Sequence, residues 1–339
     1  MSDDELLSQL TRFCRDHLAP DATVSGIVSM PGHAGFSWGF TVRYRRDGRE
    51  ETERLVLRLP PPGVRIAGPA DVARQGRVLR SLQGTAVPVP PVRFLGEEPT
   101  WFGRPYLVVA WLEGRTLRSA EEPARPDLSR DDVRGMARQG VEAIAALHTL
   151  DWRSRVTGWG KPGTLEGEIL RLDSLLERAP DPDLVREAPA VRERLLATLP
   201  PDPPTGLIHG DYQWTNLFYQ GTKLVAVLDW ELSGINATTL DIGWLCVFSD
   251  PESWVGVSQP HLPLPTPEEL AEWYQEALGR RVPDVSWYRA YSGYRFGVIA
   301  SFNLMLHRRG KRPDPHYEEL APSCVTLFGR AAELLGLHG

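Results

Sequence analysis

The sequence has little of what marks a secreted scaffold, a metal finger, a membrane protein or a nucleic-acid binder. It has only three cysteines. Cys14, Cys246 and Cys324 lie far apart with no Cys-x-x-Cys spacing, which argues against a disulfide framework and a zinc site. Positive charge is not in excess, since 38 basic residues stand against 44 acidic ones for a net charge of −6. No global field therefore draws the chain to nucleic acid or to an anionic membrane. Apolar runs are short: Leu107-Val108-Val109-Ala110-Trp111-Leu112 is strand-sized, whereas a bilayer span needs roughly 20 residues. The acidic start, Met1-Ser2-Asp3-Asp4-Glu5, lacks the basic and then apolar pattern of a secretory signal, so a reducing cytoplasm is expected. No internal repeat is visible. The proline-rich stretches at 60–62, 88–91 and 200–204 are too short to separate independent domains and read as loops.

What remains is an ordinary globular enzyme composition. With 339 residues, 42% of them hydrophobic and 24% charged, the chain can bury a substantial core. Leu6, Leu7, Leu10, Phe13, Cys14 and Leu18 recur at helical spacing, and Pro20 closes that helix. Val24 to Met30, Ser37 to Tyr44 and Arg54 to Leu59 read as strands parted by glycine-rich and Asp47-Gly48 turns. Val72, Val78, Leu79 and Leu82 mark a short helix, with strands expected near Val92 to Leu95 and Pro105 to Ala110. Beyond Trp111 the pattern turns helical. Val133, Met136, Ile144, Leu147 and His148 line one face, and further helices are expected over Leu165 to Arg178, Leu184 to Ala197, Glu268 to Leu278, Trp287 to His307 and Tyr317 to Leu335.

Chemistry concentrates in His209-Gly210-Asp211-Tyr212-Gln213-Trp214-Thr215-Asn216, followed by Asp229-Trp230-Glu231. An isolated His-Gly-Asp is a common turn. A catalytic Asp, an Asn five positions on and a second Asp beyond a hairpin together fit phosphoryl transfer, in which a carboxylate meets the acceptor hydroxyl and metal ions clamp the phosphates. Leu217 to Tyr219 and Leu224 to Leu228 read as short strands around a Gln220-Gly221 turn, a geometry expected to set the metal ligands Asn216 and Asp229 side by side. Asp211 is the expected base. His209 is expected to brace its loop.

This segment resembles the aminoglycoside phosphotransferase and choline kinase-like superfamily, with Leu228-Asp229-Trp230-Glu231-Leu232 nearest the branch of kinase-like domains fused to acyl-CoA dehydrogenases. The resemblance implies an α+β, two-lobed, protein-kinase-like fold: a small antiparallel β-sheet lobe over residues 1–110 and a larger, mostly α-helical lobe over 111–339. It also implies ATP, with GTP as an alternative, and Mg2+. In this fold the adenine edge meets backbone groups of the hinge, here Val109 to Gly114 and so Ala110 and Leu112. Kinase-like folds hold the phosphates with a strand Lys oriented by a helix Glu. The matching places here are Arg58 and Gln75, neither of them the usual residue. Asp241 supports the catalytic loop by resemblance, while its position suits a helix N-cap equally well. Glu231 is left open between a water-mediated metal contact and a loop cap.

Gly32-His33-Ala34-Gly35-Phe36-Ser37-Trp38-Gly39 admits two functional readings beside an ordinary hairpin. As a phosphate-covering loop, Gly35 and Ser37 would approach the nucleotide. As a Gly-x-Ser-x-Gly elbow, Ser37 would be a hydrolase nucleophile, although that motif needs a helix after it and a strand follows. The catalytic segment favours phosphate. Trp244, Trp254, Trp273 and Trp287 with Asp250, Glu252, Glu268, Glu269 and Glu272 suggest an aromatic, acidic wall for a cationic alcohol, against the plainer reading of helix core and solvated face. The function expected is O-phosphorylation of a small-molecule alcohol such as an aminoglycoside, macrolide, amino alcohol or hydroxyacyl thioester, with no nucleic-acid or membrane partner. A nucleotide-binding pseudokinase scaffold is the first rival, suggested by Arg58 and Gln75.

Overall fold

The computed structural model describes residues 2–30, 36–117, 127–156, 159, 161–255 and 263–338. By contacts the chain forms two compact units, Met1–Gly114 with Val225–Leu232, and Arg115–Leu224 with Ser233–Gly339. No described helix is long and apolar enough to cross a membrane.

In the first unit, α1 (Asp3–His17) begins at Ser2, whose hydroxyl accepts the Glu5 amide, and Asp3, Asp4 and Glu5 face the positive helix end. Strands β1 (Thr23–Met30), β2 (Phe36–Arg46), β3 (Arg49–Leu59), β4 (Val92–Gly96) and β5 (Tyr106–Ala110) form an antiparallel sheet in the order β1-β2-β3-β5-β4. Asp47 and Gly48, with φ of 52° and 76°, make the tight turn that pairs Arg46 with Arg49. Alternation then sends Phe40, Val42 and Tyr44 of β2 and Leu55, Leu57 and Leu59 of β3 into one core with Leu6, Leu10, Phe13 and Cys14 of α1. Each such side chain contributes about 1.5–3 kcal/mol on burial. Between β3 and β4 the chain forms α2 (Val72–Leu82), capped by Asp71. Gly76 lets it lie close on the sheet, because a Cβ there would stand 2.5 Å from Leu95 Cδ1.

The second unit contains β6 (Arg115–Thr116), α3 (Arg130–His148), α4 (Trp152–Arg155), α5 (Leu165–Leu170), α6 (Asp173–Leu176), α7 (Ala188–Ala197), β7 (Thr205–Ile208), β8 (Leu217–Gln220) and the first residues of β9 (Lys223–Val227). After Leu232 follow β10 (Gly234–Ala237), α8 (Thr239–Val247), α9 (Pro267–Leu278), α10 (Val285–Arg308) and α11 (His316–Leu334). The helix expected over Leu165 to Arg178 is broken. Leu172 turns into the core and donates its amide to Ile169, and Asp173 restarts the helix while pairing with both arms of Arg192 at 2.7 and 2.6 Å. The helix expected from Leu184 begins at Ala188, where Pro189 suits the first turn. Three strands are additions: β6 pairs with β8, and β7 pairs antiparallel with β10, Ile208 opposite Gly234.

The core of this unit gathers on α10, with Trp287, Tyr288, Tyr291, Tyr294 and Val298 packed among α7, α8 and α11 residues. Every residue of α8 is buried. Gly243 on α8 allows its close approach to α10, since a methyl there would stand 2.6 Å from the Tyr288 carbonyl oxygen. Backbone cannot swing aside, so Gly243→Ala is expected to lower stability by about 1–3 kcal/mol. Urea titration checks this, and a midpoint equal to wild type would show that the helices can separate at no penalty.

Candidate active site

β7 delivers the chain straight into His209-Gly210-Asp211. Gly210 adopts φ of 82°, a conformation that glycine takes without strain. Its amide donates to Asp241 Oδ1 at 2.8 Å and the His209 amide to Asp241 Oδ2 at 2.7 Å. Asp241 lies inside α8, whose N-cap position is Thr238, so the alternative that Asp241 caps this helix is corrected: its carboxylate braces the loop. A histidine from the end of α3 completes the arrangement. His148 Nε2 lies 3.2 Å from Asp241 Oδ2 and its Nδ1 lies 2.7 Å from the Tyr274 hydroxyl. Burial acts to raise the Asp241 pKa, but the His148 hydrogen bond, the nearness of His148 and His209 and the His209 amide together hold it below its ordinary 3.8.

His209 is fully buried, and its Nδ1 accepts the Asp211 amide at 3.2 Å. Asp211 thereby presents its carboxylate in a defined direction. Oδ1 accepts from Trp244 Nε1 and from Gln213 Nε2, both at 2.8 Å, and Oδ2 accepts from Asn216 Nδ2 at 3.1 Å. Asn216 Nδ2 also donates to the Asp211 carbonyl at 2.8 Å, which leaves its amide oxygen to point elsewhere as an acceptor. Asn216 sits on a single 3-10 turn, Trp214–Asn216, pinned where Trp214 Nε1 donates to Ser249 Oγ at 3.1 Å. Trp244 follows Asp241 by three residues, so one face of α8 supplies both the brace for the amides and a donor to the carboxylate. Arg295 of α10 stacks 4.3 Å from the Trp244 ring centroid and donates to the Gly210 carbonyl at 2.9 Å.

The remaining site residues lie in the first unit. Asp229 takes φ of 60°, and the following Trp230 is buried with its Nε1 donating to Val227 O at 2.9 Å. Arg58 Nη2 meets Asp229 Oδ1 at 3.2 Å and Glu231 Oε2 at 3.0 Å, while Arg58 Nε is buried with no hydrogen-bond partner. The expectation that Gln75 orients Arg58 is corrected: Gln75 Nε2 donates to Pro69 O at 2.9 Å. In the hinge, the Ala110 amide donates to Pro91 O and the Trp111 amide to Arg54 O, both at 2.9 Å. Among the described residues the Leu112 amide has no backbone partner. Ser37 lies within β2, opposite Met30 and Arg58, and not at a strand-to-helix turn, which removes the hydrolase elbow. Gly35 lies outside the described residues.

Among the tryptophans, buried Trp244 and half-buried Trp254 cluster with Phe248 and Phe296, whereas Trp287 belongs to the core, stacked on Tyr291, and Trp273 carries the guanidinium groups of Arg134 and Arg138. Asp250 is paired with Arg289 and Arg330, Glu252 with Arg330, Glu268 with Arg289 and Glu269 with Arg134. These four acids are thus neutralised by arginine.

The model of the phosphotransferase enzyme family matches residues 34–291, more than half of the chain and a span that holds Arg58, Asp211, Asn216, Asp229 and Asp241. The chain belongs to that family. It is 27% identical over 325 residues to the probable acyl-CoA dehydrogenase IBR3 of Arabidopsis thaliana, covering 86% of this chain and 38% of that protein. It is 26% identical over 263 residues to acyl-CoA dehydrogenase family member 11 of Homo sapiens, covering 73% of this chain and 33% of that one. The chain thus spans about a third of the length of these relatives. Among solved structures it is similar to a putative aminoglycoside phosphotransferase of Ralstonia eutropha JMP134, with a TM-score of 0.77, 22% identity and 96% and 98% of the two chains covered. It is also similar to aminoglycoside phosphotransferase APH(4)-Ia in ternary complex with AMP-PNP and hygromycin B, with a TM-score of 0.60, 15% identity and 97% and 98% covered. The fold of the chain is protein-kinase-like.

His148, Gln213 and Arg295 carry site functions that the sequence reading passed over. His148 appeared only as the last member of an apolar helical face, and a buried histidine at a helix end is the signal that pointed to it. Asp241 provides the test. A carboxylate with a depressed folded-state pKa adds stability above its unfolded pKa and loses it as pH falls through the folded value. Asp241→Asn is therefore expected to cost about 3 kcal/mol or more at pH 7, and the gap to wild type should narrow only below pH 3.8. Urea unfolding at several pH values measures it. Equal stabilities at pH 7 would show that the loop does not depend on this carboxylate.

Proposed function

We propose that this protein moves the γ-phosphoryl group of ATP, with GTP as a second donor, to the hydroxyl of a small molecule. One observation carries the reading: the Asp211 carboxylate is aimed by three side-chain donors, Trp244, Gln213 and Asn216. An oriented carboxylate is what a general base requires. Asp211 accepts the acceptor's hydroxyl proton, the alcohol oxygen bonds to the γ-phosphorus, and the bond to the bridging oxygen breaks to release ADP and a phosphate monoester.

Two features suit the groups this chemistry calls for. Asn216 and Asp229 offer hard oxygen donors, the kind Mg2+ prefers, and magnesium completes its shell with phosphate and water without a protein cage. Among the described residues no group of three or more His, Cys, Asp or Glu could hold a metal alone. When bound, the ion neutralises charge on the transferring phosphates. The unpartnered Arg58 Nε suits an anion that the protein itself does not supply. Arg58 is assigned to the phosphates, Gly35 and Ser37 to covering them, and the Ala110 and Leu112 backbone to the adenine edge.

In thermal-shift experiments ATP is expected to raise the melting temperature more with Mg2+ than with EDTA. Absence of any magnesium-dependent shift at millimolar ATP would count against Asn216 and Asp229 as ligands. Asp211→Ala should lower phosphoryl transfer, or background ATP hydrolysis, by at least ~100-fold while ATP affinity stays near wild type. An active wild type matched by Asp211→Ala would remove Asp211 as base, and an ATP-binding protein inactive over an alcohol library would be a scaffold. Arg58→Ala should weaken ATP binding by about 1.5–3 kcal/mol, the size of a lost charged hydrogen bond. Unchanged affinity in calorimetry would place the phosphates elsewhere.

A further inference from the structure

The first unit contains no lysine at all, because Lys161, Lys223 and Lys311 all belong to the second. The β3 cation that meets Asp229 and Glu231 is therefore an arginine, Arg58, and an arginine makes a different demand from a lysine. Its charge is spread over a planar fork, so its contact with an anion depends on the angle of that plane. Something must set the angle. Gln75, in the helix position expected to do so, is buried on the Pro69 carbonyl.

We propose that Glu231 is the orienting carboxylate of Arg58, supplied from the segment after the metal motif instead of from α2. Glu231 Oε2 lies 3.0 Å from Arg58 Nη2, with the Arg58 and Glu231 side chains only 22% and 17% exposed. Asp229 approaches the same nitrogen at 3.2 Å with a side chain 37% exposed. Once Asp229 serves a metal, Glu231 is the carboxylate that still holds the arginine. Its own backbone is secured independently. Arg74 Nη1 donates to the Glu231 carbonyl at 3.3 Å, and the preceding Trp230 is buried. The pairing also leaves Arg58 Nε buried without a hydrogen-bond partner, so the fork is held through Nη2 alone. Glu231 is in this sense a positioning residue.

The assignment rests on the nucleotide reading above, and it makes a prediction whose sign is distinctive. Glu231 is an anion near the place where a polyanion is proposed to bind. If it were only a charge or a loop cap, Glu231→Gln would leave affinity for metal-free ATP unchanged or tighten it by removing repulsion. If Glu231 served only a metal, the variant would matter only with Mg2+. An orienting role predicts weaker binding of ATP in EDTA and of ATP with Mg2+ alike, by about 5–10-fold. Glu231→Asp, which keeps the charge but shortens the reach, should weaken binding in the same direction.

Isothermal titration of the full chain with ATP, in EDTA and in Mg2+, decides the matter. A double-mutant cycle adds a second criterion: Arg58→Gln/Glu231→Gln should bind no more weakly than Arg58→Gln alone, since Glu231 acts through the arginine. Unchanged or tighter binding by Glu231→Gln, or additive losses in the cycle, would overturn the assignment while leaving ATP binding intact. A wild-type protein that bound no ATP in either buffer would instead overturn the nucleotide reading, and this assignment with it.

Discussion

A carboxylate taken out of water is destabilised by several kcal/mol unless charge and hydrogen bonds replace its solvent. Asp241 meets that condition with the amides of His209 and Gly210 and with His148. The demand runs in both directions. The loop amides follow β7 and have no ladder partner of their own, so without Asp241 they would be buried and unsatisfied. Because α8 is buried throughout, its position is set by packing, and the loop inherits that position. The direction of the Asp211 carboxylate therefore follows from the depth at which one helix is buried.

The same helix gives a second support at no extra length. Asp241 and Trp244 share a face, so the residue that holds the loop backbone and the residue that donates to Asp211 move as one body. Arg295 stacks on the far side of that indole and donates to the Gly210 carbonyl, which ties α10 to the same assembly. In the first unit the supports are ionic. Arg58 lies against Asp229 and Glu231, and Arg74 holds the backbone of the latter.

Much of the first unit was legible because its strands alternate cleanly and its turns carry glycine or aspartate. β2 and β3 could be read from Phe40, Val42 and Tyr44 and from Leu55, Leu57 and Leu59 against the Asp47-Gly48 turn. The second unit was harder. β7 and β10 are four residues each, too short for alternation to show, and the Gly-Ile-Asn-Ala of β10 has no strand-forming run. The long helix expected from Leu165 broke at Leu172 because that residue is drawn into the core, a demand that local propensity does not register. The acids near the C-terminal tryptophans show a related limit: composition counts them, but only space decides that Arg289, Arg330 and Arg134 pair with Asp250, Glu252, Glu268 and Glu269.

By itself the sequence determined the order of elements in the sheet-forming segment, and the residues Asp211, Asn216 and Asp229 that match phosphoryl-transfer chemistry. These are properties of spacing, and spacing survives in one dimension. Only the tertiary structure decided that Asp241 braces the loop instead of capping a helix, that His148 joins it from α3, that Gln75 turns to Pro69 and that Glu231 meets Arg58. Each of those outcomes is a choice among partners far apart in the chain. A buried polar group takes the partner that packing brings within 3 Å or so, and no local pattern encodes which one that is.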